Sequence, residues 1–176
     1  MPDSLIRDIK VIQRTAKRNE NEDFRFRTFL KMSDRESSEI DRVVHKTTER
    51  VWSQIDCKTC ANCCKVLTIN LEEEDIERLA QHLEMSVGDF TERYVAETKD
   101  FEGTFKHIVS KPCPFLENNL CTVYEHRPDV CRGYPYLHKD EFRSRTLAMI
   151  QRVEECPIVF NVWESLKEQF RFRRRR

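Results

Sequence analysis

Cys57-Lys58-Thr59-Cys60-Ala61-Asn62-Cys63-Cys64 is the stretch on which the reading of this chain turns. A C-x-x-C step lets two thiolates grip one metal ion across a tight turn, as in tetrahedral zinc sites with sulfur at about 2.3 Å. Two such steps in succession, C-x-x-C-x-x-C, also match three ligands of a [4Fe–4S] cluster whose fourth ligand lies elsewhere. A bacterial ferredoxin run places its fourth cysteine further on and follows it with proline. Here Cys64 comes at once and Lys65 follows, so that motif is absent. Adjacent side chains on extended backbone point to opposite faces. Cys63 and Cys64 are therefore expected to serve different metals, or different corners of one cluster.

The remaining cysteines lie downstream as Cys113, Cys121, Cys131 and Cys156, which makes eight in 176 residues. Between the first two, Glu117-Asn118-Asn119 is a turn signal, because Asn tolerates the left-handed conformation. It predicts a hairpin over 113–124 that brings Cys113 near Cys121. Eight thiolates suffice for two four-cysteine sites, or for one site with thiols to spare. A disulfide framework is the alternative expected of a short exported chain. The start, Met1-Pro2-Asp3-Ser4-Leu5-Ile6-Arg7-Asp8, has no apolar h-region, so no secretory signal is expected. In a reducing cytoplasm, closely spaced thiols hold metal or do redox work. Lys58, Lys65, Lys111, Arg127 and Arg132 stand beside these cysteines. Such cations offset thiolate charge and depress thiol pKa values.

Several of these segments together carry a family likeness. Cys57-x-x-Cys60-x-x-Cys63-Cys64 resembles the signature of the CxxCxxCC cysteine-cluster family, the YkgJ-like zinc- or iron-chelating domain proteins. Cys113-Pro114-Phe115-Leu116 is similar to that family's C-P-F-L box. The run from Cys121 through Tyr124, Arg127-Pro128 and Cys131-Arg132 to Tyr134-Pro135 resembles its next segment. Cys156-Pro157-Ile158 resembles a terminal C-P element. The likeness spans roughly 57–158. It implies chelation of zinc or iron by Cys57, Cys60, Cys63, Cys64, Cys113, Cys121, Cys131 and Cys156. A related cluster occurs in flagellin lysine N-methylases, much longer chains whose other parts have no counterpart here, so the resemblance extends to the cysteines and not to methylation.

Composition removes several other classes. Lys plus Arg equals Asp plus Glu at 31 each, so net charge selects no partner. Gly88, Gly103 and Gly133 are the only glycines, too few for a nucleotide-binding glycine loop. No apolar run approaches the length of a membrane span. The basic tail Arg171-Phe172-Arg173-Arg174-Arg175-Arg176 leaves the rest of the chain net acidic, which argues against a broad nucleic-acid surface. His45, His82, His107, His126 and His138 are scattered; His126 and His138 flank Cys131 and are alternative ligands. A thioredoxin-like use of Cys57 and Cys60 needs a strand before the motif and a helix starting at it, whereas a helix is expected before it and a strand after. Tyr124, Tyr134 and Tyr136 are candidate donors to thiolate sulfur. No Ser-His-Asp set, paired-carboxylate motif or His-Glu-x-x-His helix appears, and no catalytic residue is assigned.

The pattern predicts a mainly α fold with a small β-hairpin (α+β), stapled by metal. Residues 1–32 read as an N-terminal helical, charged extension, 33–170 as the cysteine-cluster metal-binding domain, and 171–176 as the tail. Asn-Glu-Asn-Glu-Asp at 19–23 reads as a helix break. Ser33 and Glu36 fit a capping box opening an amphipathic helix over about 34–55. Val66–Leu71 reads as a strand. Glu72-Glu73-Glu74-Asp75 loads a helix start with acid. Further helices are expected from Ser86, at Arg127-Pro128, and over 144–155 and 161–170, with a strand from Phe105 to Ser110. The expected function is a cytoplasmic zinc- or iron-chelating protein. Its rival is an iron–sulfur protein of electron transfer, or part of a modifying enzyme.

Overall fold

The computed structural model describes residues 5–101 and 103–173. The first four residues, and Arg174, Arg175 and Arg176 of the basic tail, lie outside the described residues. In chain order the helices and strands are α1 (Ile9–Lys31), α2 (Ser37–Trp52), α3 (Cys57–Cys60), α4 (Asn62–Val66), α5 (Glu73–His82), α6 (Val87–Tyr94), β1 (Val95–Asp100), β2 (Gly103–Ile108), β3 (Leu116–Glu117), β4 (Leu120–Cys121), a 3-10 turn (Tyr124–His126), α7 (Asp129–Gly133), α8 (Phe142–Val153) and α9 (Pro157–Gln169). The fold is mainly helical with small antiparallel hairpins, the α+β class that the sequence predicts. Among the described residues no helix is long and apolar enough to cross a membrane.

Contacts within the chain divide it into two units, Met1–Cys57 with Pro135–Arg176, and Lys58–Tyr134. The first unit is a set of packed helices. α9 is buried nearly all round, from Pro157 to Lys167, and Trp163 at its centre meets Phe26 of α1 edge-on at 5.1 Å. Each large apolar side chain withdrawn from water here contributes about 1.5–3 kcal/mol. Asp8 opens α1 by accepting from the N–H groups of Lys10 and Val11 at 2.8 and 3.2 Å. Asp41 of α2 does the same for α8 from a distance in sequence, accepting from the N–H groups of Glu141 and Phe142, both at 2.9 Å. Phe172 continues the packing, with its ring 5.2 Å from Phe26.

Two expectations fail in this unit. The polar run 19–23 does not break the helix, and α1 passes straight through it. The reason is tertiary. Asp23 is buried and accepts from the Trp163 indole N–H at 2.9 Å, and Glu22 and Asp23 both face the buried Lys167. Nor does Ser33 cap α2. Its hydroxyl accepts from Arg35, and the helix begins two residues later behind Glu36.

The second unit holds the small strands. β1 and β2 pair antiparallel from Val95↔Ile108 to Asp100↔Gly103. Val66–Leu71 forms no full strand: Val66 ends α4, and the rest makes a single bridge, Asn70↔His107. Leu71 N–H donates to Lys106 C=O and Ile108 N–H to Ile69 C=O, both at 2.9 Å. The segment is thus paired on one side for too few residues to count as a strand. Ile69, Leu71, Ile76, Leu79, Phe90, Ile108, Phe115 and Val123 form the apolar core beneath it.

Candidate metal centre

The second unit holds six of the eight cysteines. Ala61 takes left-handed backbone (φ 50°) between α3 and α4. That conformation costs a non-glycine residue about 1–2 kcal/mol, and it separates the Cys60 turn from the helical turn carrying Cys63 and Cys64. Because α4 is helical, the adjacent pair does not point to opposite faces as expected for extended backbone. The Cys63 and Cys64 sulfurs lie 3.9 Å apart. Two thiolates on one tetrahedral zinc at about 2.3 Å stand about 3.8 Å from each other. The two sulfurs thus lie side by side, at a separation that one such ion can span.

Three of the downstream cysteines, Cys113, Cys121 and Cys131, lie in the same unit. Asn118 and Asn119 both adopt left-handed backbone (φ 49° and 64°), the two-residue turn that suits a twisted hairpin. This closes β3 on β4 with Leu116 opposite Cys121. Leu116 N–H donates to Cys113 C=O at 3.0 Å, fixing Cys113 at the hairpin's start. The predicted hairpin is thus present. Cys113 N–H in turn donates to Cys64 C=O at 2.8 Å. Cys131 sits in α7, and Cys113, Cys121 and Cys131 all pack against the unit's apolar core.

Asp75 and Arg78 of α5 hold α7, the helix that carries Cys131. The buried Asp75 accepts from Asp129 N–H at 3.1 Å and from the Arg78 guanidinium. Arg78 also donates to the His126 and Arg127 carbonyls at 3.3 and 3.2 Å and pairs with Asp129 at 3.1 Å. The acidic run 72–75 does start a helix, with Asp75 accepting from Glu72 N–H at 3.2 Å. Its second task, holding α7, was not foreseen; a buried carboxylate is visible only once the partners are.

The electrostatics follow from this crowding. Burial pushes the Cys131 thiol up to about 12 and Cys113 to about 11, and raises Cys121 as well. Charge on Cys64 adds to the rise at all three. Cys113 and Cys121 also act on Cys131, and Cys121 on Cys113. Each of these four thiols lies in the field of the other three. Cys64 goes the other way, to about 7, because Cys63 hydrogen-bonds it against the cost of burial, with Lys65 and Arg127 helping. Arg127 also opposes the rise at Cys121 and Cys131. Its guanidinium lies 3.7 Å from the centre of the Tyr124 ring, and Lys58 Nζ is 4.5 Å from the same centre. Tyr124 thus serves as a platform for cations. Among the described residues no three His, Cys, Asp or Glu side chains already form a metal-holding group. The donor chemistry nevertheless fits a soft cation: neutral thiols crowded together relax when a bound ion makes thiolates favourable.

The other two predicted ligands are placed differently. Cys57 is exposed at the start of α3. Cys156 is buried at the N-terminus of α9, in the first unit. None of the eight cysteines is in a disulfide. Of the histidines, His82 and His126 stack on each other at 4.0 Å, and His107 meets Thr98 at 2.9 Å. His45 lies 3.8 Å from Asp140 in the first unit.

Residues 56–156 match the CxxCxxCC family, described as "Putative zinc- or iron-chelating domain". The match covers more than half of the chain and includes seven of the cysteines between its ends as well as Cys156 at its limit.

This chain belongs to the CxxCxxCC family.

It is 30% identical over 82 residues to the uncharacterized protein MJ0661 of Methanocaldococcus jannaschii, which takes in 46% of this chain and 43% of that protein. The chain therefore spans less than half of the length of this relative. No solved structure matches it. As a CxxCxxCC protein it carries a domain described as zinc- or iron-chelating.

Proposed function

We propose that this chain holds zinc or iron through thiolates of Cys60, Cys63, Cys64, Cys113, Cys121 and Cys131, in the cytoplasm, where thiols stay reduced. Cys57, by its C-x-x-C step to Cys60, and Cys156, by its place in the family pattern, complete the ligand set on sequence grounds. One observation carries the reading: four thiols from four separate segments, Cys64, Cys113, Cys121 and Cys131, lie within one another's fields around the 2.8 Å bond from Cys113 to Cys64. Lys58, Lys65 and Arg127 supply the positive charge that a four-thiolate site calls for. Cys64, the thiol lowered to about 7, is the first donor for an incoming ion. Zinc is favoured, because closed thiolate tetrahedra suit it and stabilise small folds. The metal then organises the fold, and no chemistry is assigned to it.

The iron–sulfur reading is supported by the succession of Cys57, Cys60 and Cys63 through α3 and α4, with thiols beyond the four that one zinc needs. Such a protein would transfer electrons or form part of a modifying enzyme. Metal and inorganic sulfide measured on protein isolated without oxygen distinguish the two. Colourless protein with stoichiometric zinc supports the first reading. Brown protein with sulfide matching iron supports the second. Protein with neither metal, and unable to take up either, sinks both.

A further inference from the structure

One edge of the β1–β2 hairpin is taken and the other is not. On β2, the backbone groups of Lys106 and Ile108 face the 69–71 segment, through Leu71 N–H to Lys106 C=O and Ile108 N–H to Ile69 C=O. In an antiparallel pair, a residue that turns its backbone groups away from the partner strand faces a residue that turns away too. By register those residues are Glu97, opposite Lys106, and Val95, opposite Ile108. Tyr94 confirms the alternation, since its C=O accepts from Val109 N–H on the inner side at 2.9 Å. Val95, Glu97 and Lys99 therefore turn their N–H and C=O groups outward. Among the described residues no strand pairs with that edge, and residues 97–100 are exposed.

We propose that this edge pairs with the same edge of a second copy of the chain, antiparallel, about a two-fold axis at Thr98. An open strand edge is a template for another strand, and outward-turned residues must meet outward-turned residues. Centring the pair on Glu97 sets two glutamates opposite each other, and centring it on Lys99 sets two lysines together; directly opposed like charges are unfavourable. Centring it on Thr98 places Glu97 opposite Lys99 of the second copy, twice over. The same register lays Phe101, 95% exposed at the hairpin tip, beside Val95 of the second copy. It also extends a row of alternating charge already begun within the chain, from Glu73 to Lys106 at 2.6 Å and on to Glu97 across the register. Charge pattern, backbone direction and the otherwise unexplained Phe101 thus select one occupant and one register. This surface is independent of the metal reading.

Analytical ultracentrifugation of the full chain, from micromolar to near-millimolar concentration, tests it. The unmodified protein is expected to dimerise as concentration rises. Glu97→Lys and Lys99→Glu should each weaken the dimer at least about tenfold through like-charge contacts. An equimolar mixture of the two variants should restore dimers, and so should the double exchange in one chain. Rescue by mixing cannot arise from a damaged hairpin. A chain that stays monomeric throughout, single variants that dimerise as well as the parent, or a mixture that remains monomeric would each overturn the proposal.

Discussion

The backbone N–H of Cys113 donates to the carbonyl of Cys64 at 2.8 Å, across a sequence gap that spans two helices and a hairpin. This bond joins the short helix carrying the adjacent cysteines to the start of the hairpin carrying Cys121. It holds the loop in register whether or not an ion is bound, since it uses main-chain atoms alone.

Replacing Cys64 by serine should lower metal affinity more than about a hundredfold, beyond the usual cost of losing an outer-shell partner. Cys63→Ser should do the same, because its sulfur stands 3.9 Å from that of Cys64. Metal content by atomic spectroscopy after dialysis against a weak chelator is the measurement. Full retention in either variant would remove the shared-ion argument.

Chelation should lower the melting temperature sharply. Structural zinc in small domains contributes about 10 kcal/mol of folding free energy. A calorimetric trace unchanged after complete demetallation would contradict a structural role.

The metal-free protein should show a thiol-dependent stability profile. Cys113, Cys121 and Cys131 are raised above the ordinary thiol value of 9.0, two of them to about 11 and about 12. Raised groups contribute stability that is present below pH 9 and is lost as pH climbs through 11 and 12. Cys64, lowered to about 7, works in reverse: its contribution is present above pH 9 and is lost as pH falls through 7. Urea melts of the chelated protein should therefore show stability rising from pH 7 to 9 and falling beyond it. With metal bound the alkaline fall should vanish, because the ligands are then already thiolates. A flat profile without metal would contradict the crowding of these thiols.

Lys167→Met tests the first unit. Lys167 is fully buried and pairs with Glu22, Asp23 and Glu164 at 2.8, 2.5 and 2.7 Å. Burial alone would lower its pKa, yet the surrounding carboxylates raise it. Removing the ammonium leaves buried carboxylates uncompensated, at a cost of about 3–5 kcal/mol. Chemical denaturation should register that loss while metal stoichiometry per folded chain stays the same.

Much of the helical framework was legible in the residues. Apolar positions at three- and four-residue spacing located α2, α5, α8 and α9 to within a few residues, because each buries one face. The Asn118-Asn119 turn was legible as well, since few other residues adopt that backbone. β1 was not, as Val95–Asp100 is mostly polar and exposed and is held by β2 alone. The unbroken α1 was hidden for a related reason. Its polar run is tolerated only because Trp163 and Lys167, more than a hundred residues away, face Asp23.

Cysteine number, order and spacing were enough to identify the family and to single out the thiols as candidate ligands, because donor type and short-range reach along the chain are written in the sequence. Only the tertiary structure decided how the cysteine-bearing segments are placed. Helical rather than extended backbone at Cys63 and Cys64 set their sulfurs side by side, and Asp75 with Arg78 fixed the helix that carries Cys131. The first is a matter of local backbone that an extended reading of the motif misses; the second depends on contacts between residues far apart in sequence, whose packing no local pattern encodes.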